Sequence, residues 1–117
     1  MSYIDGFAVA VPNENKDLYL AHAKLAGSIF KEYGALKIIE AWGDDVPDGE
    51  TTSFPKAVKA KENETVVFSI AFWPSKSVRD EAWQKIMEDP RMNSDENPMP
   101  FDGKRLIYGG FKPLLEM

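Results

Sequence analysis

The stretch Thr65-Val66-Val67-Phe68-Ser69-Ile70-Ala71-Phe72-Trp73 constrains this chain more than any other, because β-branched and aromatic side chains occupy both alternating sets of positions. A strand with one face in water pairs an apolar set with a polar set, whereas a strand that is apolar in both registers is covered on both sides. Residues Tyr3 to Val11 repeat the pattern, with Tyr3, Phe7, Val9 and Val11 in one register and Ile4, Gly6, Ala8 and Ala10 in the other. Pro12 is expected to end that ladder. The fold must therefore supply cover for two faces of a sheet.

Between these strands Asn13 and Asn15 are candidate helix N-caps, and Asp17 falls in the first turn, where the helix dipole favours an anion. The spacing of Leu18, His22, Leu25, Ala26, Ile29 and Tyr33 predicts a helix with that apolar stripe, closed by Gly34 in a left-handed conformation. Gly27 within it costs about 1 kcal/mol relative to alanine. Leu36 to Trp42 reads as the second strand, followed by an acidic, turn-rich run from Gly43 to Glu50 and a long irregular connection to Glu64. Connections of that length often carry a function or a partner contact. Ser77-x-x-Asp80 has capping-box spacing for a second helix running to about Asp89 and stopped by Pro90. Arg91 to Pro100 reads as polar loop, Asp102-Gly103 as a turn and Arg105 to Phe111 as the last strand, with Gly109 and Gly110 weakening its end or marking a bulge.

The order strand, helix, strand, strand, helix, strand is the split βαβ arrangement of ferredoxin-like folds. It predicts an α+β domain spanning residues 1–117, with a four-stranded antiparallel sheet and both helices on one face. The second apolar register then lies on the other face, and leaving it bare exposes more apolar surface than a soluble monomer tolerates. A second copy packed sheet against sheet is the simplest cover, so a homodimer is expected.

Composition narrows the function. At 117 residues the chain is long enough to bury roughly two thirds of its unfolded surface in one domain. The absence of cysteine fits a reducing compartment and excludes disulfides, thiolate metal sites and cysteine nucleophiles. With no basic leader pattern and no apolar run of membrane-spanning length, a cytoplasmic protein without membrane partners is expected. A net charge of -5 opposes a nucleic-acid backbone. The sequence contains no phosphate-binding glycine loop, P-loop lysine, HExxH or nucleophile elbow, so neither a cofactor nor a metal is expected.

Candidate chemistry is sparse. His22 is the only histidine and sits in the apolar stripe of the first helix, as an acid or base in a pocket or, more commonly, as a core imidazole bonded to a carbonyl. The topology places it near Trp42, Asp44 and Asp45. Trp42, Trp73, Trp83 and Tyr108 could line a pocket for a planar molecule, although aromatics at such positions are more often core or interface. Asp44, Asp45, Asp48 and Glu50 lack the ligand alternation of a calcium loop and read as a solvated acidic turn. Arg79 falls on the apolar side of the second helix, where a structural contact with helix carbonyls or a carboxylate is expected rather than a ligand clamp.

Several long blocks identify a resemblance: Tyr-Ile-Asp-Gly-Phe at residues 3–7, Glu40 to Gly49, Thr52 to Ala60, Trp73-Pro74-Ser75-Lys76, Asp89-Pro90-Arg91-Met92 and Met99 to Arg105. Through them the chain resembles the YbaA-like family of uncharacterised bacterial proteins over nearly its whole length. The resemblance implies a dimeric α/β-barrel fold, in the broad group that includes small cofactor-independent monooxygenases, and implies no particular activity. The leading expectation is a homodimer that binds a small, largely apolar molecule, non-enzymatically or with cofactor-independent chemistry, with His22 as the catalytic candidate and Trp42, Asp44, Trp73 and Tyr108 as binding candidates. The alternative is a protein–protein interaction module that uses the 45–64 segment. The first requires a cavity reaching His22. The second requires a packed interior and an exposed, ordered loop.

Overall fold

In a computed structural model, residues 2–92 and 98–117 are described. The strands are β1 (Tyr3–Pro12), β2 (Lys37–Trp42), β3 (Glu64–Trp73) and β4 (Ile107–Phe111); the helices are α1 (Lys16–Glu32), α2 (Phe54–Ala57) and α3 (Lys76–Glu88). The strands form one antiparallel sheet in the order β2-β3-β1-β4. This is the expected ferredoxin-like α+β arrangement. Among the described residues no helix is long and apolar enough to cross a membrane.

One register of the sheet faces α1 and α3. Ile29 and Phe30 of α1, Ala82 and Ile86 of α3, and Ala71 and Trp73 of β3 form one core cluster. Val9, Val11, Tyr19, Ala23 and Val67 form the next. The phase of α1 differs from the expected stripe: Tyr19, Ala23, Ile29 and Phe30 are buried, whereas Leu18 is 62% exposed. Burial of the larger aromatic surfaces of Tyr19 and Phe30 outweighs that of one leucine.

The helix ends also differ in detail. Asn13–Asn15 form a 3-10 turn, and neither asparagine caps α1 through its side chain. Asn15 donates instead to the carbonyl of Pro100 at 3.0 Å, and Asn13 accepts from the Thr65 hydroxyl. At the C-terminus Gly34, with φ +122°, closes a Schellman motif in which Gly34 N–H bonds to Lys31 O and Ala35 N–H to Phe30 O. The cap of α3 is Ser75, which accepts from Val78 N–H at 3.2 Å, two residues before the expected Ser77. Asp80 is consequently free to pair with Lys76 one turn back and with Arg79.

The connection after β2 is not purely irregular. Its short helix α2 is capped by Ser53, and Lys56 Nζ bonds the carbonyls of Gly49 and Glu50. Val58, just after α2, is 1% exposed and packs on Ala8, Ala10 and Val66. Those three residues belong to the second register, so this connection covers part of the sheet face opposite α1 and α3. The rest of that face remains open, with Ile39, Phe68, Ile107 and Phe111 all more than a third exposed.

The packing is pinned by a buried charge. Asp5, 2% exposed, lies on the helix-covered face between Tyr3 and Phe7. Its Oδ2 accepts from the indole N–H groups of Trp73 at 2.9 Å and Trp83 at 2.8 Å, and its Oδ1 from Arg79 Nε at 3.0 Å and Nη2 at 2.7 Å. A buried carboxylate costs several kcal/mol unless its lone pairs are met, and here four N–H groups from two elements meet them. Arg79 thus makes the structural carboxylate contact anticipated from its place on the helix.

Gly110 explains why β4 ends in glycines without a bulge. It pairs with Asp5 in regular register, and a Cβ there would lie 2.8 Å from Arg79 Nη2 and 2.6 Å from the Tyr3 hydroxyl. A Cβ on Gly109 would make only ordinary contact with Phe111. Gly110→Ala should therefore lower stability by about 1–3 kcal/mol through overpacking, while Gly109→Ala stays within about 1 kcal/mol. Urea denaturation of the two variants checks this; equal effects would remove the steric explanation.

Candidate functional site

Between α1, α3 and the middle of the sheet lies a cavity of about 510 Å³. Its walls are mainly apolar, among them Phe30 and Ala26 of α1, Ile38 of β2, Trp83 and Met87 of α3, and Met99. Methionines at three points of the lining, Met87, Met92 and Met99, supply flexible thioether surface that adapts to irregular shapes.

The remaining wall is built by the chain that leads into β4. Arg105 grips Glu64 with two parallel bonds, Nη1 to Oε1 at 2.7 Å and Nη2 to Oε2 at 2.8 Å, and also bonds Asp102 and the carbonyl of Lys59. The Arg105 hydrogen bonds hold the Glu64 carboxyl down at about 2, from an ordinary 4.5. This clamp sets the turn that presents Phe101 and Leu106 to the cavity. The Phe101 ring stands 5.8 Å from that of Tyr19 and edge-on to His22 at 6.2 Å.

The polar floor comes from three elements. Glu40 of β2 sits directly across from Ser69 of β3, and Tyr19 of α1 reaches down to both. Glu40 Oε1 accepts from the Tyr19 hydroxyl at 2.6 Å and from the Ser69 hydroxyl. Burial, reinforced by the bond to Glu40, pushes the Tyr19 hydroxyl well above the usual phenol range and keeps it a proton donor. His22, three residues after Tyr19, lies on the same side of the helix and lines the cavity.

The structure separates the sequence candidates. His22 and Tyr108 both line the cavity. Trp73 stands behind its wall, fully buried, with its N–H committed to Asp5. Trp42 packs beside Val9 and Val67 and carries the Lys16 ammonium 5.0 Å from its ring centre. Asp44 lies past the end of β2, in a separate groove beside Asp48 and Glu64. Among the described residues no three acidic or histidine side chains converge to hold a metal ion.

Sequence reasoning passed over Tyr19, Glu40, Ser69 and Arg105 as site residues. Glu40 carried a readable signal, since it shares its register with Ile38 and Trp42 and so faces inward. Asp5 carried the same signal between Tyr3 and Phe7. The bidentate partner of Arg105, 41 positions away, carried none.

The chain shares nearly its whole length with known proteins. It is 58% identical over 116 residues to "Uncharacterized protein YbaA" of Escherichia coli (strain K12), covering 99% of each chain, and it matches YbaA of Shigella flexneri to the same extent. Among solved structures it is similar to that of Rv0793 from Mycobacterium tuberculosis, at 14% identity and a TM-score of 0.44, covering 97% of each chain. The family profile described as "Protein of unknown function (DUF1428)" matches residues 2–103, and the chain therefore belongs to the DUF1428 family.

Proposed function

We propose that this protein is a cytosolic homodimer that binds a small, largely apolar molecule in the cavity between the sheet and its two long helices. The observation that carries the reading is the cavity itself: about 510 Å³, mainly apolar, and lined by His22 and by a short row of polar groups. Small-molecule sites typically combine a volume in the range of about 300–1,000 Å³ with such walls and a few placed polar side chains. The exposed Ile39, Phe68, Ile107 and Phe111 on the other face support a second copy as cover, because together they present apolar surface from three strands. The interaction-module reading draws less support, since the 45–64 segment spends Val58 on its own sheet.

Binding is testable with N-phenyl-1-naphthylamine, an uncharged probe whose fluorescence rises in apolar surroundings. The wild-type protein should bind it saturably, and Ala26→Phe, which projects a ring into the cavity, should weaken binding at least about tenfold while the protein still melts cooperatively. Undiminished binding by Ala26→Phe would move the ligand elsewhere. Light scattering at micromolar concentration should give twice the chain mass, falling to one chain mass in Phe68→Asp; a wild-type monomer would refute the dimer.

A further inference from the structure

Among the described residues of the sheet, two acidic side chains face the layer between helices and sheet, and they are used very differently. Asp5 is saturated, with four N–H donors on its two oxygens. Glu40 is half used. Its Oε1 accepts from both Tyr19 and Ser69, while no hydrogen bond from the described residues reaches Oε2. A carboxylate is acceptor-only, and the uncommitted oxygen of this exposed side chain takes its donor from water or from a ligand. The Tyr19 and Ser69 hydroxyl protons are already spent on Oε1. Arg79, the cationic side chain of the described lining, is committed to Asp5 and Asp80.

We propose that Glu40 is the recognition anchor of the cavity, and that the ligand is an uncharged, mainly apolar molecule with a hydroxyl or N–H group that donates to Glu40 Oε2. The inference deepens the binding reading above and rests on it. Glu40 is solvent-accessible on the outer strand β2, so a ligand reaches it without opening the core. Once an apolar body displaces water from Phe30, Ile38 and Phe101, the single donor meets an ionised acceptor in a drier setting, where a charge-assisted bond is strong and directional. An anionic ligand would meet an unneutralised carboxylate. The rest of the described lining is mainly apolar, which suits an uncharged body carrying one donor. Tyr19 and Ser69 act as positioning residues, because their two bonds fix the carboxylate plane and aim Oε2.

Equilibrium dialysis at pH 7 with 2-naphthol and 2-methoxynaphthalene tests this, since the two probes share a ring system and differ in the donor. The wild-type protein should bind 2-naphthol about tenfold or more tightly than its methyl ether. Glu40→Gln keeps an oxygen for Tyr19 and Ser69 but places an NH2 where Oε2 stood, so it should abolish or invert the preference for 2-naphthol over its methyl ether. If both probes bind the wild type equally, or if the preference survives Glu40→Gln, the anchor is refuted and the cavity reading stands. If neither probe binds, both readings fall.

Discussion

The structure depends on one buried charge. Asp5 sits in the middle of an apolar face, where an unmatched carboxylate would cost more than most single packing interactions return. The fold meets that cost by bringing Arg79 and Trp83 from α3 and Trp73 from β3 to a single point. These contacts fix α3 along the sheet, leave little room for a side chain at position 110, and bring the Trp83, Phe30 and Phe7 rings together in tilted and edge-on pairs. At this end of the layer Trp73 and Ile29 are fully buried, while Phe7, Phe30, Arg79 and Trp83 border the cavity. Toward Val9, Tyr19 and Ser69 the same layer widens into the cavity.

Much of the fold was legible because it rests on local periodicity. The two-register strands, the helix closed by Gly34 and the strand order all followed from side-chain alternation and turn chemistry. The errors arose where a local rule competed with a distant partner. Asn13 and Asn15 look like caps, but Thr65 and Pro100 claim their side chains. Ser77 has an acidic residue at the right spacing, but Lys76 and Arg79 take Asp80, and the cap falls to Ser75. Leu18 fits the helical stripe, but Tyr19 takes the inward position and bonds Glu40.

The site was less legible for the same reason. His22 could be singled out by its rarity and Tyr108 as an aromatic suited to a planar ligand, yet the polar floor joins residues 19, 40 and 69 from three elements. The clamp that holds Phe101 in place joins 59, 64, 102 and 105. No spacing rule links such positions; a register does. Once Glu40 is paired opposite Ser69, its meeting with the inward-facing Tyr19 follows from geometry. The pairing of β1 with β3 likewise puts Trp73 beside Asp5, within the core instead of the cavity. Asp5 and Glu40 thus illustrate how the number of committed lone pairs, more than the residue type, separates a structural acid from a recognition group.

The central claim, that the Asp5–Arg79 pair locks α3 to the sheet, is tested most directly by a double-mutant cycle of Asp5→Asn and Arg79→Met followed by urea denaturation. Arg79→Met strips the buried Asp5 carboxylate of its charge partner and should cost about 3–5 kcal/mol, whereas Asp5→Asn leaves Arg79 paired with Asp80 and should cost less. The double variant should be more stable than the sum of the singles requires, by about 2 kcal/mol or more of coupling. Costs that add to within about 0.5 kcal/mol would show that the two residues act independently and would contradict the account.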